Sequence, residues 1–231
     1  MKTAGIVGGI GPESTIDYYR QMVALYRRQR PDGSFPPILI DSIDMARMLD
    51  LIGTGKMAEV ADYLAGAVKK LERAGADFAL MAANTPHIVF DAVQRRAPIP
   101  MISIVEATCT AAKARGLTRL GLFGTRFTMQ GSFYPDLFFK QGLEIFAPSE
   151  DDQNYIHEKY MGELVHGLYL DETRRGLLDI VDRLIEQQHI QGLILGGTEL
   201  PLILRDETYR DIPLLDTTHI HVERAVARIL S

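Results

Sequence analysis

The sequence predicts an α/β fold built twice, as two pseudo-symmetric parallel-sheet half-domains with a ligand cleft between them. Short apolar runs alternate with stretches of helical periodicity, which is the pattern of parallel strands joined by crossover helices. The pattern of the first half then recurs in the second. Small and polar residues follow several of the predicted strands, where ligands of such sheets bind.

The first predicted strand is the apolar run TAGIVGG, and a helix follows in GPESTIDYYRQMVALYRRQR. Ile16, Tyr19, Val23 and Tyr26 recur there at three- and four-residue steps, which predicts a helix with these residues along one face. The segment FPPILIDSID reads as the second strand. A helix is predicted in GKMAEVADYLAGAVKKLERAG, where Gly75 ends it.

The third strand is predicted in ADFALMAAN, and the residues TPHIVFDAVQRR then open another helix. A short strand and a further helix are predicted in IPMISIVEATCTAAKARG. Cys109 lies within that helix with apolar residues at helical spacing on either side, so we expect a buried core thiol.

The duplication keeps a nearly constant register along the chain. Gly5 pairs with Gly121 at an offset of 116 residues, and Pro100 pairs with Pro213 at an offset of 113. Asn84, after the third strand, pairs with Thr198. We therefore predict an N-terminal half from residues 1–98 plus 214–231, and a C-terminal half from residues 99–213.

Composition narrows the classes of function. The 231 residues carry a net charge of −5 and no basic stripe, so a nucleic-acid partner is not expected. The single cysteine excludes an intrachain disulfide and a cysteine-based zinc site. His219 and His221 are two residues apart and do not share a helical face, so no metal site is predicted. No signal peptide or membrane span is recognisable, and a cytoplasmic location is expected.

Five motifs occur in a fixed order: GIVGGIGPESTIDYY, ANTPH, LFGTRFTM, LGGTELP and DTTHIHVERAV. Together they closely resemble the aspartate/glutamate racemase family, over nearly the whole chain. The resemblance implies a homodimer that racemises acidic amino acids or related compounds without a cofactor. It also implies one catalytic thiol in each half, before NT in the first and before TE in the second. Those positions hold Ala83 and Gly197 here.

A thiol pair suits racemisation because one group removes the Cα proton from one face while the other returns a proton to the opposite face. Neither Ala83 nor Gly197 can transfer a proton. Three interpretations remain open: a natural branch that uses another acid/base group, a non-catalytic protein that binds a small acid, or an engineered replacement of cysteine. We call the turn 83–85 the first apex and the turn 197–199 the second apex.

The remaining polar residues of the apices are the candidate site. The resemblance implies that Asn84, Thr85 and Thr198 hold a substrate carboxylate, and a helix cap is the alternative role for Asn84 and Thr198. Glu199 is the only ionisable side chain in the two apices. It is a candidate acid or base, with a capping or supporting role as the alternative.

Further binding residues are expected at other strand ends. Ile10 and Gly11 would bring backbone close to a ligand, Thr125 follows a strand in the second half, and Arg47 is the only cation in its segment. Ile52 occupies a position that is polar in some relatives, so an apolar or longer substrate side chain is compatible. The sequence favours an isomerase of an amino acid or small carboxylate. A carboxylate-binding protein without activity and a lyase or decarboxylase are the alternatives.

Overall fold

The computed structural model describes residues 1–231, and the chain forms two compact units. The first unit contains Met1–Ile104 and His221–Ser231, and the second contains Val105–Ile220. The boundaries fall at 104 and 221, where the sequence places them at 98 and 214. The first boundary moves because the short strand at 101–102 pairs with the sheet of the first unit.

The first unit is a four-stranded parallel sheet flanked by helices. Its elements up to the first boundary are β1 (Ala4–Gly8), α1 (Pro12–Gln29), β2 (Ile38–Ser42), α2 (Met45–Gly53), α3 (Met57–Arg73), β3 (Phe78–Met81), α4 (Phe90–Arg96) and β4 (Met101–Ile102). The strand order is β2-β1-β3-β4.

The second unit repeats this plan. Its elements are α5 (Ile104–Ala114), β5 (Arg119–Gly124), α6 (Arg126–Gln130), α7 (Phe133–Lys140), β6 (Glu144–Phe146), α8 (Glu150–Gly162), α9 (Asp171–Gln188), β7 (Gly192–Gly196), α10 (Leu200–Ile203), β8 (Thr208–Tyr209), β9 (Ile212–Asp216) and the start of α11 (Thr217–Leu230). The order β6-β5-β7-β9 matches the first sheet strand for strand, and β8 adds an antiparallel edge. The predicted duplicated α/β fold is confirmed.

The helix that follows the last parallel strand of each sheet belongs mostly to the other unit. Most of α11 packs in the first unit, where Val222, Val226 and Ile229 join the core around β1 and β3. The helix α5 belongs to the second unit. Cys109 in α5 is buried, and burial raises the pKa of its thiol, as expected of a core cysteine.

The buried stripe of α1 shares only Tyr26 with the periodic residues from which the helix was predicted. Tyr18, Met22 and Tyr26 are fully buried, whereas Ile16 and Tyr19 are 49% and 50% exposed. Both stripes have helical spacing, so periodicity alone does not choose between them. The choice follows from packing, because Tyr18, Met22 and Tyr26 share a core with apolar residues of α11.

A second difference concerns the helix predicted to begin at residue 85. The chain first makes a 3-10 turn, Thr85–Val89, and α4 starts only at Phe90. Pro86 lies at the start of this turn and has no N–H to donate. The N–H of His87 reaches the carbonyl of Asn84 at 2.9 Å, three residues back, which is the tighter 3-10 pattern.

The duplication extends to a buried tyrosine in each unit. The Tyr18 hydroxyl lies 2.8 Å from Nδ1 of His221. Tyr134, the equivalent of Tyr18 at an offset of 116, is hydrogen-bonded to Thr108. Thr108 is the equivalent of His221 at an offset of 113. In the first unit this hydrogen bond joins α1 to α11, and in the second unit it joins α7 to α5.

Candidate functional site

In the first unit, two loops meet at the carboxyl edge of the sheet, after β1 and β3. Glycine is required in the first loop, since Gly9 has φ 78° and a Cβ there would collide with the carbonyl of Ile43. Ile10 is buried and Gly11 has φ 87°. The Ser14 hydroxyl donates to the carbonyl of Ala82 at 2.7 Å, which ties the start of α1 to the first apex.

The first apex contains no ionisable side chain. Ala83, Asn84 and Thr85 are all buried, and Asn84 does not cap the following turn with its side chain. The carbonyl of Ala83 accepts a hydrogen bond from Nδ1 of His87 at 3.0 Å. Nε2 of His87 accepts from the N–H of Ile104 at 3.2 Å. Both ring nitrogens are therefore engaged in holding the backbone.

The neighbouring imidazoles are held neutral. Burial, and next the nearby His221, lower the pKa of His87 to about 3. Burial lowers the pKa of His221 to about 4, and its Nε2 donates to the carbonyl of Ile102 at 2.9 Å. Both rings are therefore uncharged at neutral pH. No three His, Cys, Asp or Glu side chains are grouped as a metal site would need.

The second apex is built differently, because a side chain from another helix occupies the space over Gly197. A Cβ at Gly197 would lie 2.9 Å from the hydroxyl oxygen of Tyr160 and 3.0 Å from its Cζ. Gly197 does not have the positive φ that favours glycine. A side chain at this position would instead have to displace the ring of Tyr160 of α8.

The same tyrosine contacts Glu199, the candidate acid or base. The Tyr160 hydroxyl donates to Oε2 of Glu199, and the Thr198 hydroxyl donates to the same oxygen at 2.8 Å. All three residues are buried. Burial, followed by the charge of Glu199 and the hydrogen bond to it, raises the pKa of Tyr160 well above its usual value. The phenol therefore keeps its proton at neutral pH.

Two other predicted binding residues have local structural partners. Thr125 caps α6, with its Oγ1 accepting from the N–H of Thr128 at 3.3 Å. The Arg47 guanidinium carbon lies 4.6 Å from the ring centroid of Tyr63, and the side chain is exposed. The first contact caps α6 and the second joins α2 to α3, and any role in binding a substrate is additional to them.

Sequence reasoning missed Tyr160. The segment HEKYMGELVHGLY resembles one in which the family presents a lysine, but Lys159 is out of register with that position and His166 lies nearer to it. Lys159 instead pairs with Glu163 at 2.5 Å. The available signal was weaker: Ile156 and Tyr160 lie four residues apart on one face of α8, and both are buried. That spacing predicts a core tyrosine but does not show which turn it meets.

Comparison with known proteins defines the class. The sequence profile of the Asp/Glu/Hydantoin racemase family matches residues 7–225. The chain therefore belongs to this family, as the resemblance carried by the five motifs indicates. None of its helices combines the length and the apolar character that crossing a bilayer requires.

Individual relatives cover the chain from end to end. A candidate Asp/Glu racemase from Yersinia pestis has a similar crystal structure, with a TM-score of 0.90, 32% identity and 100% of both chains covered. The broad specificity amino-acid racemase RacX of Bacillus subtilis (strain 168) is 24% identical, over 98% of each sequence. The glutamate racemase of Francisella tularensis, solved with D-glutamate, shares the fold with a TM-score of 0.68 and 18% identity, over 99% of this chain and 81% of the other.

Proposed function

We propose that this protein is a cofactor-independent enzyme that transfers a proton at the carbon next to the carboxylate of an amino acid or small carboxylate, with Glu199 as the acid/base group. The buried carboxylate at the second apex carries the proposal. Two hydroxyls donate to its Oε2, while Oε1 accepts neither of these hydrogen bonds. A positioned carboxylate can accept a substrate proton and return it.

The proposal keeps the chemistry of the family and changes the group that performs it. A thiolate in the usual position would work directly from the apex residue. Here the apex residue is glycine, and the next ionisable side chain is two residues further on. The related protein named as a broad specificity amino-acid racemase supports amino acids as the substrate class.

An anionic substrate is also compatible with the neighbouring strand end in the second unit. Arg126 follows β5, which pairs with β7, and its side chain is exposed. Its guanidinium donates to Oδ1 of Asn154 at 3.1 Å, which limits its motion. Arginine binds carboxylates through paired N–H groups, so Arg126 is a candidate for the substrate carboxylate.

A lyase or decarboxylase is the second candidate, favoured by the condition of the first apex. Racemisation needs proton transfer on both faces of the carbon. Ala83 has no such group, and both nitrogens of His87 are held in hydrogen bonds. A reaction that requires one proton donor needs only the second apex.

Exchange of the Cα hydrogen tests the proposal without assuming a product. Both enantiomers of aspartate, glutamate, methionine and leucine are incubated with the protein in heavy water, and loss of the Cα signal is followed by NMR. We expect exchange on at least one of them, slowed about 100-fold or more in Glu199→Gln. Glu186→Gln, at an exposed carboxylate of the same unit, is the matched control and should exchange as the unmodified protein does.

A different result would favour the binding protein. If no amino acid exchanges its Cα hydrogen, while one of them raises the melting temperature, the chain binds a small carboxylate without reacting it. A product with fewer carbons or a new double bond in the same spectra would identify the decarboxylase or lyase.

A further inference from the structure

Residue 197 at the second apex has no side chain, and Tyr160 of α8 fills the space that such a side chain would occupy. Its ring and hydroxyl lie where a Cβ of residue 197 would project, within 3.0 Å of that position. Since the backbone of Gly197 does not demand glycine, the absence of a side chain matches the presence of the tyrosine. The ring also packs in the core of the second unit.

We propose that Tyr160 is a catalytic residue that replaces the second thiol, its hydroxyl relaying a proton between the substrate carbon and Glu199. This inference rests on the proposed function and adds the group that contacts the substrate. A phenol carries an oxygen that can accept one proton while releasing another. The hydroxyl already donates to Oε2 of Glu199, so the second half of the relay is in place.

The step is balanced without any further reactant. The substrate C–H bond breaks and its proton forms a new O–H bond on the phenol oxygen. The original phenol proton moves at the same time to Oε2 of Glu199. The charge of the carboxylate is thereby transferred to the substrate as a carbanion, and the reverse movement returns a proton to carbon.

Thr198 fixes the geometry of this relay. Its hydroxyl donates to Oε2 of Glu199 at 2.8 Å, and the same oxygen accepts the hydrogen bond from Tyr160. The high pKa of Tyr160 supports the relay, because the phenol stays protonated between turnovers. Thr198 is a positioning residue in this scheme.

A relay from one side has a stereochemical consequence. A proton removed by Tyr160 returns from Tyr160, so the carbon keeps its configuration while solvent deuterium enters. We therefore expect Cα exchange with retention, on one enantiomer only. Racemisation at the same rate as exchange would contradict a single relay.

The spatial part of the proposal is tested without activity. Gly197→Ala should lower the melting temperature by about 2–12 °C, the effect of overpacking a closed position in a chain of this size. In a Tyr160→Ala background, the same substitution should produce no such additional loss, because the colliding ring is gone. An equal effect of Gly197→Ala in both backgrounds would show that Tyr160 does not occupy the site.

The chemical part is tested with Tyr160→Phe, which keeps the ring and removes the hydroxyl. We expect Cα exchange to fall about 100-fold or more while the melting temperature shows that the variant is folded. Tyr209→Phe is the matched control, since the Tyr209 hydroxyl also donates to a carboxylate, that of Asp182, at 3.3 Å in the same unit. The control should exchange as the unmodified protein does.

The two proposals fail in different ways. If Glu199→Gln stops exchange and Tyr160→Phe does not, Glu199 acts directly and the tyrosine relay is wrong. If the unmodified protein exchanges no Cα hydrogen, the proposed function and the relay both fall. A pH profile of the exchange rate that is identical in Tyr160→Phe and the unmodified protein would also overturn the relay.

Discussion

The two apices have the same origin in the duplicated fold, yet their surroundings differ. Ala83 keeps a methyl group, and the imidazole beneath it is neutral and hydrogen-bonded to the backbone at both nitrogens. Gly197 has no side chain, but the hydroxyl of Tyr160 and the carboxylate of Glu199 lie beside it. Both apices bury polar side chains, but only the second contains a carboxylate.

The difference shows that the residue at an apex does not by itself decide what chemistry the turn can support. The helix that follows the second strand of each sheet makes the contrast. In the first unit this helix is α2, which buries only Met48, Leu51 and Ile52. In the second unit it is α8, which buries Ile156 and Tyr160. Tyr160 of this helix places its hydroxyl where a side chain of residue 197 would project.

Lowering the pH should destabilise the first unit more than the second, and this is the largest effect we expect. In the native first unit His87 and His221 have pKa values of about 3 and about 4, against about 6.5 in the unfolded chain. Between pH 6.5 and pH 4 the unfolded chain binds protons that the native rings do not. The free energy of unfolding therefore falls by up to about 1.4 kcal/mol per pH unit for each histidine.

The stabilisation is complete above pH 6.5 and is lost as the pH falls. Backbone amide hydrogen exchange at pH 7 and pH 5 should show β1 and β3 losing protection before β5 and β7. In the second unit, His157 is only partly buried, and its pKa is lowered by burial and by Arg126. His166→Gln, at an exposed histidine, serves as the control. Equal loss of protection in both units would break the comparison.

Removal of the duplicated tyrosine hydroxyls should have a smaller, unequal effect. Tyr18→Phe leaves Nδ1 of His221 buried without its partner, which destabilises by about 1–3 kcal/mol. Tyr134→Phe should be milder, about 0.5–1.5 kcal/mol, because the hydroxyl of Thr108 can turn to a helix carbonyl instead. Chemical denaturation of both variants measures the difference. A larger loss of stability in Tyr134→Phe than in Tyr18→Phe would contradict this prediction.

The sequence was sufficient for the repeated order of strands and helices, and for the two turns that lack a thiol. Those features are local, since apolar runs, glycine stops and motif register all lie within short segments. It was insufficient for Tyr160, because the contact between α8 and the turn after β7 joins distant segments. The buried face of α1 could not be assigned from the sequence for the same reason. Two stripes fit the spacing, and the partner helix α11 comes from the other end of the chain.

The site was predicted unevenly for a related reason. Glu199 was identified because it is next to an apex in the sequence. His87 is a buried residue whose ring is hydrogen-bonded to the backbone of Ala83 and Ile104, two contacts that its position in the sequence does not reveal. The space over Gly197 could not be predicted, since an empty position in a sequence does not reveal whether a neighbour fills it.

A glycine with open space around it provides the smallest and sharpest test of the interpretation of Gly197. Gly66 lies within α3, and a Cβ there would have no atom within 4 Å. Gly66→Ala should therefore stabilise the protein by about 0.5–1 kcal/mol, because alanine has less backbone entropy to lose on folding. Thermal or chemical denaturation measures the change beside that of Gly197→Ala. Opposite signs at the two glycines would attribute the requirement at the second apex to Tyr160, whereas a loss at both would point to a general intolerance of added side chains.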